Sequence, residues 1–303
     1  ASVSLPSTVT TTTTTQRPAV PPKNRAALGT AAAAPARSPI AFSDSASDLT
    51  RVPAAESATA HLMHDEALQA EHVTKCIKNL GKAAHPLEQS EALSSLLQMV
   101  SEGSFTLWDG HFSHLLLAVL DLLVSEHSID ETAKRIAFKL LCRMCTAQAA
   151  RFYPFADMTI LKLLNATADE KDTQVLVAAE ECAKTLATHL PASTALRVLN
   201  PIVNVSEADP RKTLAIKMVM KLIETLELEE LKSYLKDIVP GIVKTFDGGS
   251  ESCERKAALS TLVLLHNRLG REPMEPFISA LPDSRVKLMQ VYISRSQTAS
   301  NTF

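Results

Sequence analysis

From about Leu62 onward, apolar residues recur with the spacing of amphipathic helices. One run has apolar side chains at offsets 0, 3, 4, 7, 8, 10 and 11, which form one wide stripe on an α-helix. Its members are Phe112, Leu115, Leu116, Val119, Leu120, Leu122 and Leu123. A second run keeps this register from Leu228 to Phe246, and Pro240 inside it predicts a kink. Strand-type alternation is nowhere convincing, so the pattern predicts an all-α domain.

Two polar motifs mark predicted helix starts. Ser128 followed by Glu131 has the spacing of a capping box. Asp209 precedes Pro210, which places an N-cap acid before a proline at the first helical position. Both motifs support the helical interpretation of the apolar pattern.

Similar helices recur along the chain, each with an alanine followed by apolar residues four and seven positions later. The five alanines are Ala92, Ala137, Ala179, Ala215 and Ala258. The followers are Leu96 and Met99, Leu141 and Met144, Ala183 and Leu186, Val219 and Leu222, and Leu262 and Leu265. The alanines lie 45, 42, 36 and 43 residues apart, a period typical of HEAT-type helix pairs.

A longer helix is expected before each alanine helix, near 67–81, 110–124, 154–168, 192–205 and 228–246. Two of these carry a proline in matching context, Pro201 in LNPIV and Pro240 in VPGIV, and we assign both prolines a structural role. A closing helix from about Asp283 to Gln297 has Val286, Met289 and Ile293 on one face and would cap the last repeat. The sequence predicts a HEAT-repeat α-solenoid of about five helix pairs plus a C-terminal capping helix.

Residues 1–60 differ from the rest of the chain. They hold seven of the sixteen prolines, a threonine run and an alanine run, but one aromatic residue, Phe42. So little apolar surface cannot offset the chain entropy, and we expect a disordered linker over 1–60, the folded domain over 61–297 and a flexible tail over 298–303. Because the first residue is alanine, we expect a fragment of a longer chain.

The linker carries five basic and three acidic residues. It is interpreted either as a solvated spacer or as a weak electrostatic tether to an acidic partner. Ser38, which precedes Pro39, is a candidate for proline-directed phosphorylation.

Charge, apolar run length and cysteine content make several classes of protein less favoured. The chain has 31 Lys and Arg against 33 Asp and Glu, so it lacks the basic surplus that nucleic-acid binding favours. The longest apolar run, Leu115 to Leu120, is too short to span a bilayer. Five cysteines, an odd number spread over a large domain, are typical of reduced thiols in a cytoplasmic protein.

Motifs for catalysis or cofactor binding are missing from the sequence. Gly248 and Gly249 are the one adjacent glycine pair, and neither G-x-S-x-G nor H-E-x-x-H occurs. Cys142-x-x-Cys145 falls inside an apolar helix and is expected to pack in the core. The pairs His111/His114 and His61/His64 lack further ligands, so they are expected to be ordinary surface or capping histidines. We expect no enzyme activity, no cofactor and no metal.

Trp108, the single tryptophan, lies in the segment SFTLWD, predicted to link the first two repeats. We interpret it as a structural residue, a hydrophobic staple that closes two helix pairs.

Four stretches of the sequence resemble a known family: SFTLWDGHF at 104–112, ARFYPFADMTILKLL at 150–164, PGIVKTFD at 240–247 and VKLMQVYISRSQ at 286–297. They are similar, in order and separation, to the carboxy-terminal TOG-like, CLIP-interacting domain of the CLASP family, preceded by part of its Ser/Pro-rich linker. The resemblance covers about Leu62 to Gln297.

The resemblance implies a non-enzymatic cytoskeletal protein whose neighbouring TOG domains act on tubulin. It implies that this domain recruits CLIP-type plus-end proteins, a kinetochore kinesin, and cortical or Golgi adaptors. The expected location is the cytoplasm, at microtubule plus ends, the spindle and kinetochores.

In a TOG solenoid, the loops inside each helix pair stack along one edge. Tubulin-binding TOG domains usually carry a tryptophan in the first such loop, and the matching segment, Ala84 to Gln89, has none. The segments 84–89, 125–131, 168–174, 206–213 and 247–255 hold twelve acids against four bases. An acidic edge repels acidic tubulin, so we expect weak or absent tubulin binding by this domain.

Exposed bases are the candidate anchors for partner proteins. They are Lys171, Arg211, Lys212, Arg255, Lys256, Arg285, Lys287 and Arg295. Coiled-coil partners could dock on the solenoid in a helix-in-groove mode. Reversal of Arg211 and Lys212 to Glu is then expected to weaken recruitment with little change in Tm.

Three alternatives stay open at this point. The domain could be a divergent TOG domain that binds tubulin directly, or a HEAT adaptor for a different cargo, because one fold serves many functions. A helical-repeat RNA binder is the third, but it predicts a basic, aromatic-rich face, and only 4% of residues are aromatic.

Overall fold

The computed structural model describes residues 66–81, 84–125, 129–248 and 251–300, with side chains up to Thr298. The predicted linker, including Ser38, lies outside the described residues, as do His61 and His64.

The described residues form eleven helices of eleven residues or more and no strand. In chain order they are α1 Glu66–Asn79, α2 Pro86–Glu102, α3 Trp108–Leu123, α4 Glu131–Ala147, α5 Ala156–Ala166, α6 Thr173–His189, α7 Ala192–Asn204, α8 Lys212–Thr225, α9 Leu228–Asp247, α10 Ser252–Leu269 and α11 Asp283–Ser300. Short helical turns precede α5 and α11, at Ala149–Phe152, Tyr153–Phe155, Glu272–Met274 and Glu275–Ile278.

The helices form two layers. The odd-numbered helices α1 to α9 pack side by side in one layer, and the even-numbered helices α2 to α10 pack side by side in the other. Helix α11 packs against α10 at the C-terminal end of the second layer. The predicted all-α HEAT-repeat solenoid, with five helix pairs and a capping helix, is confirmed.

The alanines that mark the repeats all lie in the core of the even-numbered layer. Ala92 is 5% exposed, and the other four are fully buried. Their followers four and seven residues on are buried as well. A small side chain at the same position of each helix lets neighbouring helices approach closely, and the larger followers fill the space beside it. The repeat prediction is therefore confirmed in its detail.

Three local predictions need correction. The first helix of a pair is not generally the longer one, since α5 has 11 residues and α6 has 17. The cap of α4 is Asp130, whose carboxylate accepts the Thr132 N–H at 3.1 Å; Ser128 lies outside the described residues. Asp209 does accept a backbone N–H, from Arg211 at 2.9 Å, but α8 begins only at Lys212.

The two matching prolines lie inside unbroken helices, Pro201 in α7 and Pro240 in α9, and both are exposed. Beside Pro240, Gly241 is buried against the end of α7, and a Cβ there would lie 2.7 Å from Asn204 Oδ1. Lys244 Nζ donates to the Asn204 carbonyl at 3.0 Å. The Pro-Gly pair thus stands where two helices of the odd-numbered layer approach each other closely.

Helix α11 covers the open end of the last repeat. Met289 and Ile293 are buried and Val286 packs against the core, as the sequence predicts. The helix continues to Ser300, so the predicted domain end at Gln297 falls inside it.

Candidate protein interaction surface

Trp108 is the first residue of α3, not part of a linking segment. Its half-buried ring lies 4.3 Å from the Phe105 ring and 6.3 Å from the Phe112 ring, between centroids. Phe112 in turn meets Phe152, edge to face, at 5.1 Å. This aromatic series joins the turn before α3 to the turn before α5, so Trp108 packs between repeats.

The turn before α3 is also held by a buried amide from α1. Gln69 Nε2 donates to the Ser104 carbonyl at 2.8 Å, and Gln69 Oε1 accepts from the Thr106 N–H at 3.0 Å. The backbone that carries Trp108 is therefore anchored to the first helix.

The edge formed by the links within the helix pairs is here called the loop edge, and several of its charged residues are paired with other residues of the chain. Glu170 is 8% exposed at its side chain and accepts from Lys134 Nζ at 2.6 Å. It also accepts the backbone N–H groups of Lys171 and Asp172. Burial opposes ionisation of Glu170, but these donors hold the pKa of its carboxyl below the usual value.

Charged residues of the link between α7 and α8 are also paired within the chain. Arg211 binds the Asp209 carboxylate through two nitrogens, at 2.9 and 2.7 Å, and reaches Asn165 Oδ1 at 3.0 Å. The hydrogen bonds from Arg211 lower the pKa of Asp209. Lys212 is only 3% exposed, and its Nζ donates to the Val205 carbonyl at 2.8 Å. These groups hold the link together.

Charged residues of the link between α9 and α10 likewise contact other parts of the chain or are buried. Arg285 of α11 lies 3.7 Å from Asp247 Oδ1, and its guanidinium lies over the Phe246 ring at 5.4 Å. Glu254, at the start of α10, is buried. The surplus of acids counted from the sequence therefore overstates the charge that the loop edge presents to a partner.

The predicted anchors for partners separate into three groups. Lys212 is buried, which contradicts its prediction as an exposed base, and Arg211 and Arg285 are engaged within the chain. Arg255 is half-buried. The remaining four are exposed, with Arg295 over the Tyr292 ring: Lys171, Lys256, Lys287 and Arg295. These four lie on three separate elements, the α5–α6 link, α10 and α11, so the structure does not assemble one patch from the eight.

Sequence reasoning missed a groove on the outer face of the even-numbered layer. The groove has a volume of about 620 Å³ and lies along α4 and α6, with the C-terminal half of α2 beside it; we call it the α4–α6 groove. The residues that line it are Leu97, Ser101, Arg135, Lys139, Cys142, Arg143, Thr146, Gln174, Val177, Ala178, Glu181 and Thr185. One signal was available, because Arg135, Lys139 and Arg143 are spaced four apart and so share one face of a helix.

The three cations of the α4–α6 groove are not neutralised by the described residues. Arg135 donates to the Thr132 hydroxyl at 3.1 Å, and neither Lys139 nor Arg143 forms an ion pair there. The acid in the lining, Glu181, is paired with Lys184 at 2.9 Å. Val177 lies beside the cations with 58% of its surface exposed. The groove thus combines positively charged side chains that have no ion-pair partner among the described residues with an exposed aliphatic surface.

The two cysteines of the C-x-x-C motif have different environments. Cys145 is buried in the core as predicted, and burial raises the pKa of its thiol to about 12. Cys142 is half-buried and lines the α4–α6 groove. A hydrogen bond with Cys182 lowers the pKa of the Cys142 thiol, and burial of Cys142 acts against it. Cys142 is consequently the thiol that can report on what occupies the groove.

No group of three or more His, Cys, Asp or Glu side chains suited to a metal ion occurs within the described ranges. His111 is half-buried and His114 exposed on α3. Among the helices that the structure describes, none has the length and apolar character to cross a membrane.

Comparison with known proteins identifies relatives of the chain. No protein-family model matches the chain. The chain is 36% identical over 246 residues to Protein CLASP-2 of Caenorhabditis elegans, a match that covers 81% of this chain and 24% of that protein. It is 35% identical over 214 residues to CLIP-associating protein 1-A of Xenopus laevis, which covers 71% of this chain and 14% of that protein.

Among solved structures, the chain is similar to one that describes tubulin recruitment and assembly by microtubule polymerases with tumor overexpressed gene (TOG) domain arrays. The TM-score is 0.58 at 16% identity, over 69% of this chain and 43% of that one. At this identity the likeness shows the fold, which is TOG-like.

Proposed function

The chain belongs to the CLASP family of CLIP-associating proteins, and we propose from this that it is a protein interaction domain of a non-enzymatic regulator of microtubule plus ends. The observation that carries this proposal is the α4–α6 groove, in which cations without ion-pair partners among the described residues lie next to exposed aliphatic surface. Since the chain covers about a quarter or less of its relatives, the activity of the whole protein is part of the proposal.

We propose that the domain recruits partners and that other parts of the full protein make the main contact with microtubules. The link within the first helix pair, between α1 and α2, contains no tryptophan, a residue expected there in a tubulin-binding TOG domain. The partners we propose are CLIP-type plus-end proteins, a kinetochore kinesin, and cortical or Golgi adaptors. The corresponding location is the cytoplasm, at plus ends, the spindle and kinetochores.

A divergent TOG domain that binds tubulin directly is the second candidate, and one observation favours it. Glu170 and Asp247 lie against Lys134 and Arg285, two bases outside the segments counted from the sequence, so electrostatic repulsion of tubulin is weaker than that count indicates.

Size-exclusion chromatography with light scattering distinguishes these functions. The 303-residue chain is run alone, with tubulin, and with a CLIP-type coiled coil. We expect co-elution with the coiled coil and not with tubulin. Co-elution with tubulin at micromolar concentration or below would favour the divergent TOG domain, and co-elution with neither would favour a HEAT adaptor for a different cargo.

A further inference from the structure

We propose that the α4–α6 groove is the docking site for an acidic amphipathic helix of a partner protein, with carboxylates on one stripe and aliphatic side chains on the next. This inference rests on the proposed function and specifies the surface and the partner chemistry that it uses.

The length of the groove suits such a ligand. Along α4 the lining extends from Arg135 to Thr146, and the opposite wall on α6 extends from Gln174 to Thr185. Eleven residues of helix rise about 16 Å, which matches roughly three turns of a docked helix. A segment of this size, with anchors spaced by helical turns, is typical of helix-in-groove recognition.

The positive charges of the groove determine that the ligand should be negatively charged. Arg135, Lys139 and Arg143 lie one helical turn apart, so carboxylates with the same spacing on a ligand can face all three. Val177 and Leu97, on the two sides of α4, supply apolar surface for the adjacent stripe. An acidic helix with aliphatic side chains satisfies both features.

Helices α6 and α8 show that cations without ion-pair partners are not a general property of the even-numbered layer. Between α6 and α8, Lys217 pairs with Glu180, and Lys184 pairs with both Glu180 and Glu181. The fold therefore neutralises the lysines one repeat further on. At α4 the equivalent acids are missing from the described neighbours, which leaves the charge available to a ligand.

Two other occupants fit less well. The first sixty residues of this chain are net basic, so they would be repelled by the groove cations. A nucleic acid would gain little base recognition, because the lining contains no aromatic side chain on which bases could stack.

Fluorescence anisotropy on the full 303-residue chain provides the test. The probe is a labelled 16-residue helical peptide with Glu at every fourth position and Leu on the adjacent stripe. The comparison peptide has the same composition in scrambled order. We expect the striped peptide to bind at least about tenfold more tightly than the scrambled one, because only the striped order aligns charge and apolar surface. Equal affinities would overturn the proposal.

Charge-reversal variants then locate the site. Lys139→Glu with Arg143→Glu is expected to weaken binding at least about tenfold, since two charge pairs become repulsive. The matched control, Lys75→Glu with Lys236→Glu, makes the same charge change on exposed positions of α1 and α9 and is expected to alter binding less than about twofold. Equal losses in both variants would exclude the groove and indicate non-specific attraction.

A neutral polar substitution tests the apolar stripe. Val177→Ser is expected to weaken binding, whereas Val291→Ser, at a similarly exposed valine on α11, is expected to leave it unchanged. Unchanged binding by Val177→Ser would contradict an amphipathic ligand. Displacement of the peptide by mixed-sequence RNA at equal concentration would instead favour nucleic-acid binding and overturn the proposal.

The Cys142 thiol reports occupancy directly. In a Cys253→Ser background the other described thiols are buried, so Cys142 is the accessible position for a maleimide. Bound striped peptide is expected to slow its modification several-fold, and an unchanged rate at saturating peptide would contradict binding in the groove.

The same variants separate this inference from the proposed function. If a CLIP-type coiled coil binds wild type and Lys139→Glu/Arg143→Glu equally, the groove proposal is wrong and the recruitment function stands. If the striped peptide binds the groove but no coiled coil binds the chain, the groove proposal stands and the named partners are wrong.

Discussion

The loop edge and the α4–α6 groove both carry charged residues, but the structure uses them in opposite ways. At the loop edge, Arg211 and Lys212 follow each other in sequence, yet one binds Asp209 and the other is buried against a carbonyl. In the groove, Lys139 and Arg143 lie on a regular helix with no carboxylate partner among the described residues. Links between helices contain unpaired backbone groups that recruit nearby charges, whereas the middle of a helix has none. Charges on an exposed helix face therefore stay available to a partner.

The largest expected effect comes from reversing the charges of the loop edge. Arg211→Glu with Lys212→Glu is expected to lower the free energy of unfolding by about 3 to 5 kcal/mol, because a buried ammonium is replaced by a carboxylate that faces a carbonyl oxygen. Urea denaturation measures this change. The burial of Lys212 therefore predicts a lower Tm for this variant, in contrast to the nearly unchanged Tm predicted from the sequence.

The groove pair serves as the matched control for that prediction. Lys139→Glu with Arg143→Glu is expected to change the free energy of unfolding by less than about 0.5 kcal/mol, as for exposed positions without structural contacts. A loss as large as that of the loop-edge pair would show that the groove cations are structural, and the contrast between the two regions would be wrong.

Removal of one loop-edge acid is expected to have an intermediate effect. Asp209→Ala takes away the carboxylate that binds Arg211 and accepts its backbone N–H. A loss of about 1 to 2 kcal/mol in the free energy of unfolding is expected, because the guanidinium and the backbone N–H of Arg211 lose their charged acceptor. Thermal unfolding against Glu71→Ala, at an exposed position of α1, provides the comparison.

A pH titration sharpens the role of Glu170. Its pKa in the folded chain lies below the ordinary value of a glutamate carboxyl, near 4.5, so its ionisation stabilises the fold above that pH and the stabilisation is lost as the pH falls through the folded pKa. Wild type is expected to be more stable than Glu170→Gln at pH 7, by about 1 kcal/mol, and to lose this advantage below pH 4.5. Chemical denaturation at several pH values measures it, and a difference that does not vary with pH would contradict the assignment.

The smallest effect concerns helix α4 alone. Lys139 lies four residues from both Arg135 and Arg143, so three like charges repel one another along one face. Lys139→Glu converts these contacts into two attractive pairs and is expected to stabilise the chain by about 0.2 to 0.5 kcal/mol per pair while it weakens binding of the striped peptide. Stabilisation without weaker binding would separate the groove cations from recognition.

Much of this protein is determined by the sequence alone, because helix formation and pair packing follow a local period. The spacing of Ala137 with Leu141 and Met144 places all three on one buried stripe, and its repetition at HEAT-like intervals specifies stacked pairs. The apolar face of α11 could be predicted in the same way, from Val286, Met289 and Ile293.

Only the tertiary structure decided which charged side chains are exposed and free to bind a partner protein. Lys212 and Lys139 are both lysines in amphipathic helices, and nothing in their local sequence indicates that the first is buried against a carbonyl while the second is exposed in a groove. Burial and pairing depend on residues that are distant in sequence, such as Glu170 for Lys134 and Glu180 for Lys217. A short-range pattern specifies the helices, but the electrostatic character of a surface arises where separate helices meet.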